Sequence, residues 1–147
     1  MKELHTEIEI LAPPEKVWEV LADFPRYEEW NPFIRKVSGA FHEGGYLTVH
    51  SVQGGEKTVY QPGIVRYNEG WEFSWLNTRG MPGILDIEHI QRVEELDGNR
   101  TLFINRQELR GFLVPFMWNR LENELGEALL QMNEALKNRV ESMMTTA

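Results

Sequence analysis

Four neutral polar side chains stand at even spacing in two neighbouring stretches that read as strands. His89 and Gln91 share parity with Ile87 and Val93, and Asn105 and Gln107 share parity with Phe103 and Leu109. Side chains alternate across a strand, so each set points to one face. Amides donate and accept hydrogen bonds but do not exchange protons near neutral pH. Histidine does all three, with an ordinary pKa of about 6.5. The chemistry on offer is therefore hydrogen-bond recognition, with His89 as the one acid–base candidate. Asp97-Gly98-Asn99 joins the two stretches. A three-residue loop there sets 89 opposite 107 and 91 opposite 105, whereas a two-residue loop substitutes Arg106 and Ile104 as partners. The register and the choice of face, interior or solvent, are both open at this level.

Other residues could join such a site. Arg79, in the glycine-bounded segment Thr78 to Gly83, has the fork that grips a carboxylate. Tyr60, Phe73, Trp75, Phe103 and Trp118 are aromatic candidates for a pocket wall, with Leu121 beside them, and Trp30 and Phe33 for its entrance. Each is equally suited to plain core. The four histidines have no metal-ligand spacing, and no metal is expected. GxxxxGK[ST], GxGxxG and GxSxG are all absent, so no cofactor is expected and no serine nucleophile is indicated.

The elements that must position these groups follow from periodicity. Leu4, Thr6, Ile8 and Ile10 alternate with Glu3, His5, Glu7 and Glu9, as in a half-buried strand. Pro14 opens a short helix carrying Val17, Trp18 and Leu21, and a further helical turn follows at 26–30 before Asn31-Pro32. Strands are expected at 37–41, 46–52, 58–67, 71–77, 85–96 and 101–109. Pro62-Gly63 should place a bulge or an edge in the third of these. Trp71, Phe73 and Trp75 fall on one parity of the fourth. From Pro115 to about Val140, Leu121, Leu125, Ala128, Leu129, Met132, Leu136 and Val140 form one helical stripe. Such a helix is about 40 Å long at roughly 1.5 Å per residue, enough to cross a small domain. It needs a sheet to cover its stripe.

Composition narrows the function class. The chain has 147 residues and a net charge of −8, with 23 acidic against 15 basic side chains. That balance argues against nucleic acid and anionic membranes as partners. There is no cysteine, so thiol chemistry is excluded, and a cytoplasmic location is expected. The charged N-terminus does not read as a signal peptide, and no apolar run is long enough for a membrane span. Residues 1–147 read as a single domain.

The order of elements and several local patterns resemble the START-like, helix-grip superfamily, also called SRPBCC, in its polyketide cyclase/dehydrase-like subgroup. The resemblance runs through Ala12-Pro13-Pro14-Glu15-Lys16-Val17-Trp18, Trp30-Asn31-Pro32, Trp75, Met81-Pro82-Gly83-Ile84 with His89, Glu108-Leu109-Arg110-Gly111, Val114-Pro115, and Met132 to Lys137. It covers essentially the whole chain. It implies an α+β fold: a curved seven-stranded antiparallel sheet wrapped around a long C-terminal helix, with two short helices after the first strand. It also implies a cavity between sheet and helix. Where the subgroup usually has an aromatic two residues after the histidine and an acid two residues before Leu109, this chain has Gln91 and Gln107.

Three functions are compatible with these features. One is binding or transport of a small, largely hydrophobic molecule in that cavity. Its wall would draw on Trp30, Tyr60, Trp75, Arg79, His89, Phe103, Gln107, Trp118 and Leu121. The second is a cyclase/dehydrase-like enzyme with His89 as its acid–base group. The third is a protein-interaction module, which would need a large exposed apolar patch. Oligomeric state is open between monomer and homodimer.

Overall fold

The computed structural model of the chain describes residues 1–145. Strand β1 (Lys2–Ile10) leads into helix α1 (Pro14–Leu21) and a 3₁₀ helix (Phe24–Glu29). Strands β2 (Ile34–Gly39), β3 (Leu47–Gln53), β4 (Glu56–Tyr60), β5 (Gly63–Asn68), β6 (Glu72–Arg79), β7 (Leu85–Asp97) and β8 (Arg100–Arg110) follow. Helix α2 (Val114–Thr145) closes the fold. It is 32 residues long, which exceeds the span its apolar stripe marks.

The expected seven-stranded sheet is instead two antiparallel sheets. One runs β1-β8-β7-β6-β5 and the other β2-β3-β4. The segment read as one strand over 58–67 is two strands, divided at Gln61-Pro62. Pro62 has no N–H to give a ladder, so pairing cannot run through it. Near the start of β5 the two sheets meet at a single bridge, Tyr46 to Gly63. Leu47 N–H to Pro62 O (3.0 Å) and Ile64 N–H to Gly45 O (2.8 Å) reinforce it. Further along, β4 pairs only with β3, and β6 beyond Leu76 pairs only with β7. The sheets are therefore split between β4 and the end of β6. Trp71 also departs from expectation. It lies in the turn before β6 and is 45% exposed, while Phe73 and Trp75 are buried.

Helix α2 packs against β1, β8, β3 and α1. Its stripe from Leu121 to Val140 is buried, and so is Asn133 within it. The chain enters α2 through Gly111, whose φ of +122° few other residues adopt. A Cβ at Gly111 would lie 2.3 Å from the Ile84 carbonyl oxygen. Glycine therefore lets the start of α2 press onto the 80–84 loop. Trp18 of α1 packs edge-on against Phe73, which Phe24 also meets edge-on, and Phe24 packs tilted on Tyr27. The Tyr27 hydroxyl donates to the Leu21 carbonyl, tying the 3₁₀ helix to α1.

A buried polar site between sheet and helix

The β7–β8 register decides where the four polar residues stand. His89 faces Gln107 and Gln91 faces Asn105. The turn reaches this register by a route of its own. Asp97 pairs with Arg100 across a two-residue loop, and an irregularity between Glu95 and Asp97 then shifts the ladder by one residue. All four side chains point inward, with His89 1%, Gln91 0%, Asn105 0% and Gln107 4% exposed.

A directed hydrogen-bond chain fixes their chemistry. Thr6 Oγ1 donates to the Asn105 backbone carbonyl (2.5 Å), and Asn133 Nδ2 donates to Thr6 Oγ1 (2.9 Å). Asn105 Nδ2 donates to Asn133 Oδ1 (2.9 Å), leaving Asn105 Oδ1 as an acceptor 2.6 Å from His89 Nε2. His89 must therefore carry its proton on Nε2, and Nδ1 keeps its lone pair. Burial disfavours the imidazolium and lowers the His89 pKa to about 4, which the Asn105 hydrogen bond only partly offsets. The ring is neutral at pH 7. It packs against Trp75 edge-on at 5.6 Å and against Phe33 at 5.9 Å.

Several buried polar atoms here have no protein partner: His89 Nδ1, Gln107 Oε1 and both amide atoms of Gln91. Each such atom costs about 1–3 kcal/mol if nothing else satisfies it. A small space lies beside this cluster, lined by Phe33, Trp75, His89, Gln107 and Leu125, and toward the outside by Tyr60, Asn77 and Arg79. The ligand-sized cavity expected from the sequence is not there. The space measures about 20 Å³, room for a single water. Phe33, Trp75, Phe103, Leu121, Leu125 and Leu129 are buried and fill the remainder.

The space opens outward at the split between the sheets. A groove of about 480 Å³ lies there, lined by 58–61 of β4 and its following turn and by 77–80 at the end of β6. Tyr60, Asn77 and Arg79 line both the groove and the inner space. Burial raises the Tyr60 pKa to about 12, so its hydroxyl stays protonated. No carboxylate lines either space. Of the residues nominated from sequence, Tyr60, Trp75, Arg79, His89 and Gln107 thus converge. Phe103 and Leu121 lie in the solid core. Trp118 is partly buried under the Lys2 ammonium, and Trp30 lines a separate depression beside α1 and Arg139. Sequence reasoning passed over Gln53, Asn77 and Asn133. For Asn133 a signal existed, since it falls one position from Met132 on the buried stripe, four residues after Leu129. Among the described residues no cluster of His, Asp or Glu could hold a metal ion.

Comparison with known proteins follows the same lines. Residues 1–141 match the model of a family described as polyketide cyclase / dehydrase and lipid transport. No curated protein matches the chain. Among solved structures, a START superfamily protein from Mycobacterium smegmatis superimposes with a TM-score of 0.76 at 21% identity, covering 96% of this chain and 98% of that one. The Zhui aromatase/cyclase from Streptomyces sp. R1128 gives a TM-score of 0.78 at 18% identity, covering 95% and 93%. Norcoclaurine synthase from Thalictrum flavum, in complex with dopamine and hydroxybenzaldehyde, gives 0.72 at 14% identity, covering 96% and 87%. At these identities the likeness is one of fold.

Proposed function

The chain belongs to the polyketide cyclase / dehydrase and lipid transport family, and from that premise we propose that it binds a small, largely hydrophobic molecule between the sheets and α2. The observation that carries this reading is the pair His89 Nδ1 and Gln107 Oε1, buried without protein partners at the inner end of a passage lined by Tyr60, Asn77 and Arg79. A ligand with one or two polar groups would satisfy His89 Nδ1 and Gln107 Oε1 while its apolar body packs on Phe33 and Trp75. The 20 Å³ space does not admit such a molecule as it stands. Entry then requires β4 to part from the end of β6, where no ladder joins them.

One observation favours a second reading, a cyclase/dehydrase-like enzyme with His89 as acid–base group. The hydrogen-bond chain leaves Nδ1 free to accept a proton. Two others weigh against it. A base with a pKa near 4 is weak at neutral pH, and the group behind it, Asn105, carries no charge to hold an imidazolium. The binder is the better-supported function.

The test is native mass spectrometry of the protein purified from its own source, followed by calorimetry of any retained molecule with wild type and His89→Gln. A retained hydrophobic molecule, bound by the variant with at most about a tenfold loss and turned over by neither protein, supports the binder. Turnover by wild type that falls about a hundredfold or more in the variant overturns it in favour of the enzyme. No retained molecule, together with no binding from a panel of hydrophobic probes, sinks both.

A further inference from the structure

Arg79 stands apart from the other arginines. Every other arginine of the described residues reaches a carboxylate, except Arg35, whose guanidinium donates to the carbonyls of Asn31 and Glu28. The Arg79 guanidinium has no hydrogen bond and no ion pair within the described residues, and the residue is only partly exposed. This occurs in a chain with 23 acidic against 15 basic side chains, where a carboxylate partner is easily come by. The groove it lines holds Thr58, Tyr60, Gln61, Asn77 and Thr78 and no acid. Donors therefore surround an uncompensated cation. The free edges of β4 and of β6 beyond Leu76 border the same groove and add backbone N–H groups.

Resting on the binding function above, we propose that the ligand is a small monocarboxylate whose head group is held by Arg79 in the split between the two sheets. The planar guanidinium matches a carboxylate in two parallel hydrogen bonds. A single cation balances one negative charge. No lysine, second arginine or helix N-terminus lines the groove to balance the second charge of a phosphate. The Tyr60 hydroxyl, protonated throughout the physiological range, supplies a further donor. From this anchor the apolar part of the ligand runs inward past Asn77 to Trp75 and Ile87, which line the inner space. Arg79 then selects acids over their neutral counterparts, while His89 and Gln107 meet whatever polar group the far end carries.

Phenylacetate and phenylacetamide form a matched pair of probes, nearly identical in shape and differing by one charge. Calorimetry and amide chemical-shift mapping with wild type, Arg79→Gln and Arg79→Lys test the assignment, and thermal unfolding confirms that each variant is folded. In wild type the acid should bind at least about tenfold more tightly than the amide. Arg79→Gln should erase that preference while leaving amide affinity within about twofold, and Arg79→Lys should keep part of it. Equal affinity for acid and amide in wild type, or a preference that survives Arg79→Gln, overturns the anion site. If shifts at His89 and Gln107 persist in that case, the binding function stands without it. Failure of both probes to bind, with no shift at His89, counts against both.

Discussion

The β7–β8 hairpin presents two faces with opposite chemistry. Its outer face carries a charged lattice: Arg106 and Arg110 each reach Glu108, at 2.7 and 2.6 Å. Alongside, Arg92 of β7 and Arg66 of β5 converge on Glu72 of β6 at 3.1 and 3.2 Å. Arg92 also lies over the Trp71 ring at 5.0 Å. Its inner face holds polar groups as well, yet all are neutral: His89, Gln91, Asn105 and Gln107. The difference teaches where each kind of polarity survives. Outside, water and opposite charges compensate an ion. Inside, beneath α2, an ion would have neither, so amides and a deprotonated imidazole take its place. Neutral groups can be left partly unpaired at moderate cost, which makes the inner face available to a ligand.

The strongest way to break that contrast is to put a charge inside. Gln91→Glu should cost roughly 3–5 kcal/mol at neutral pH, as an uncompensated buried charge does. The introduced carboxyl should titrate above its usual value of about 4.3, so the penalty should fade as pH drops toward 4. Urea unfolding at pH 7 and pH 4.5 reads both effects. A wild-type midpoint at pH 7 would mean the inner face tolerates charge.

His89 tests the same contrast without a charge mutation. Its folded pKa of about 4 lies below the unfolded value of 6.5. The unfolded chain therefore binds more protons between these values. Stability from the neutral ring is fully present above pH ~6.5 and is lost as pH falls toward pH ~4. The loss should amount to about 3 kcal/mol at one proton per molecule. In His89→Gln the slope of unfolding free energy over this range should flatten by about one proton. An unchanged slope would show that His89 is not buried neutral.

Asn105→Ala removes the centre of the hydrogen-bond chain and strands His89 Nε2–H and Asn133 Oδ1. A loss of roughly 1–3 kcal/mol is expected from the stranded groups. The variant should also shift the His89 ring nitrogen resonances, because the tautomer is no longer dictated. Unchanged nitrogen shifts would remove Asn105 from that role.

At the small end, Arg106→Ala on the outer face should cost about 1 kcal/mol, because its pair with Glu108 is only partly buried and Arg110 still compensates that carboxylate. A cost above that of Asn105→Ala would invert the ranking of the two faces.

The comparison also separates what was legible in the sequence from what was not. The stripe from Leu121 to Val140 announced α2, and the alternation from Leu4 to Ile10 announced β1, because both depend on local periodicity. Pro62 signalled a disturbed strand, since a missing N–H is a property of the residue itself. That the disturbance divides the sheet in two depended on what β4 and β6 find as neighbours, which no local pattern encodes. The cavity inferred from resemblance met the same limit. Its volume depends on how Phe33, Trp75 and Leu125 pack against one another, and packing is decided jointly by distant residues.

By itself the sequence determined that four neutral polar residues share parity on neighbouring strands, that no thiol is present and that no metal-ligand spacing occurs among the histidines. It left open whether those four face water or the core, because period-2 alternation is the same for both faces. Tertiary structure decided it. The irregularity between Glu95 and Asp97 sets the register of β7 on β8, and α2 then covers the face that carries His89. Only once Asn133 arrives from α2, 28 residues beyond Asn105, does the hydrogen-bond chain close and fix the proton on Nε2 of His89.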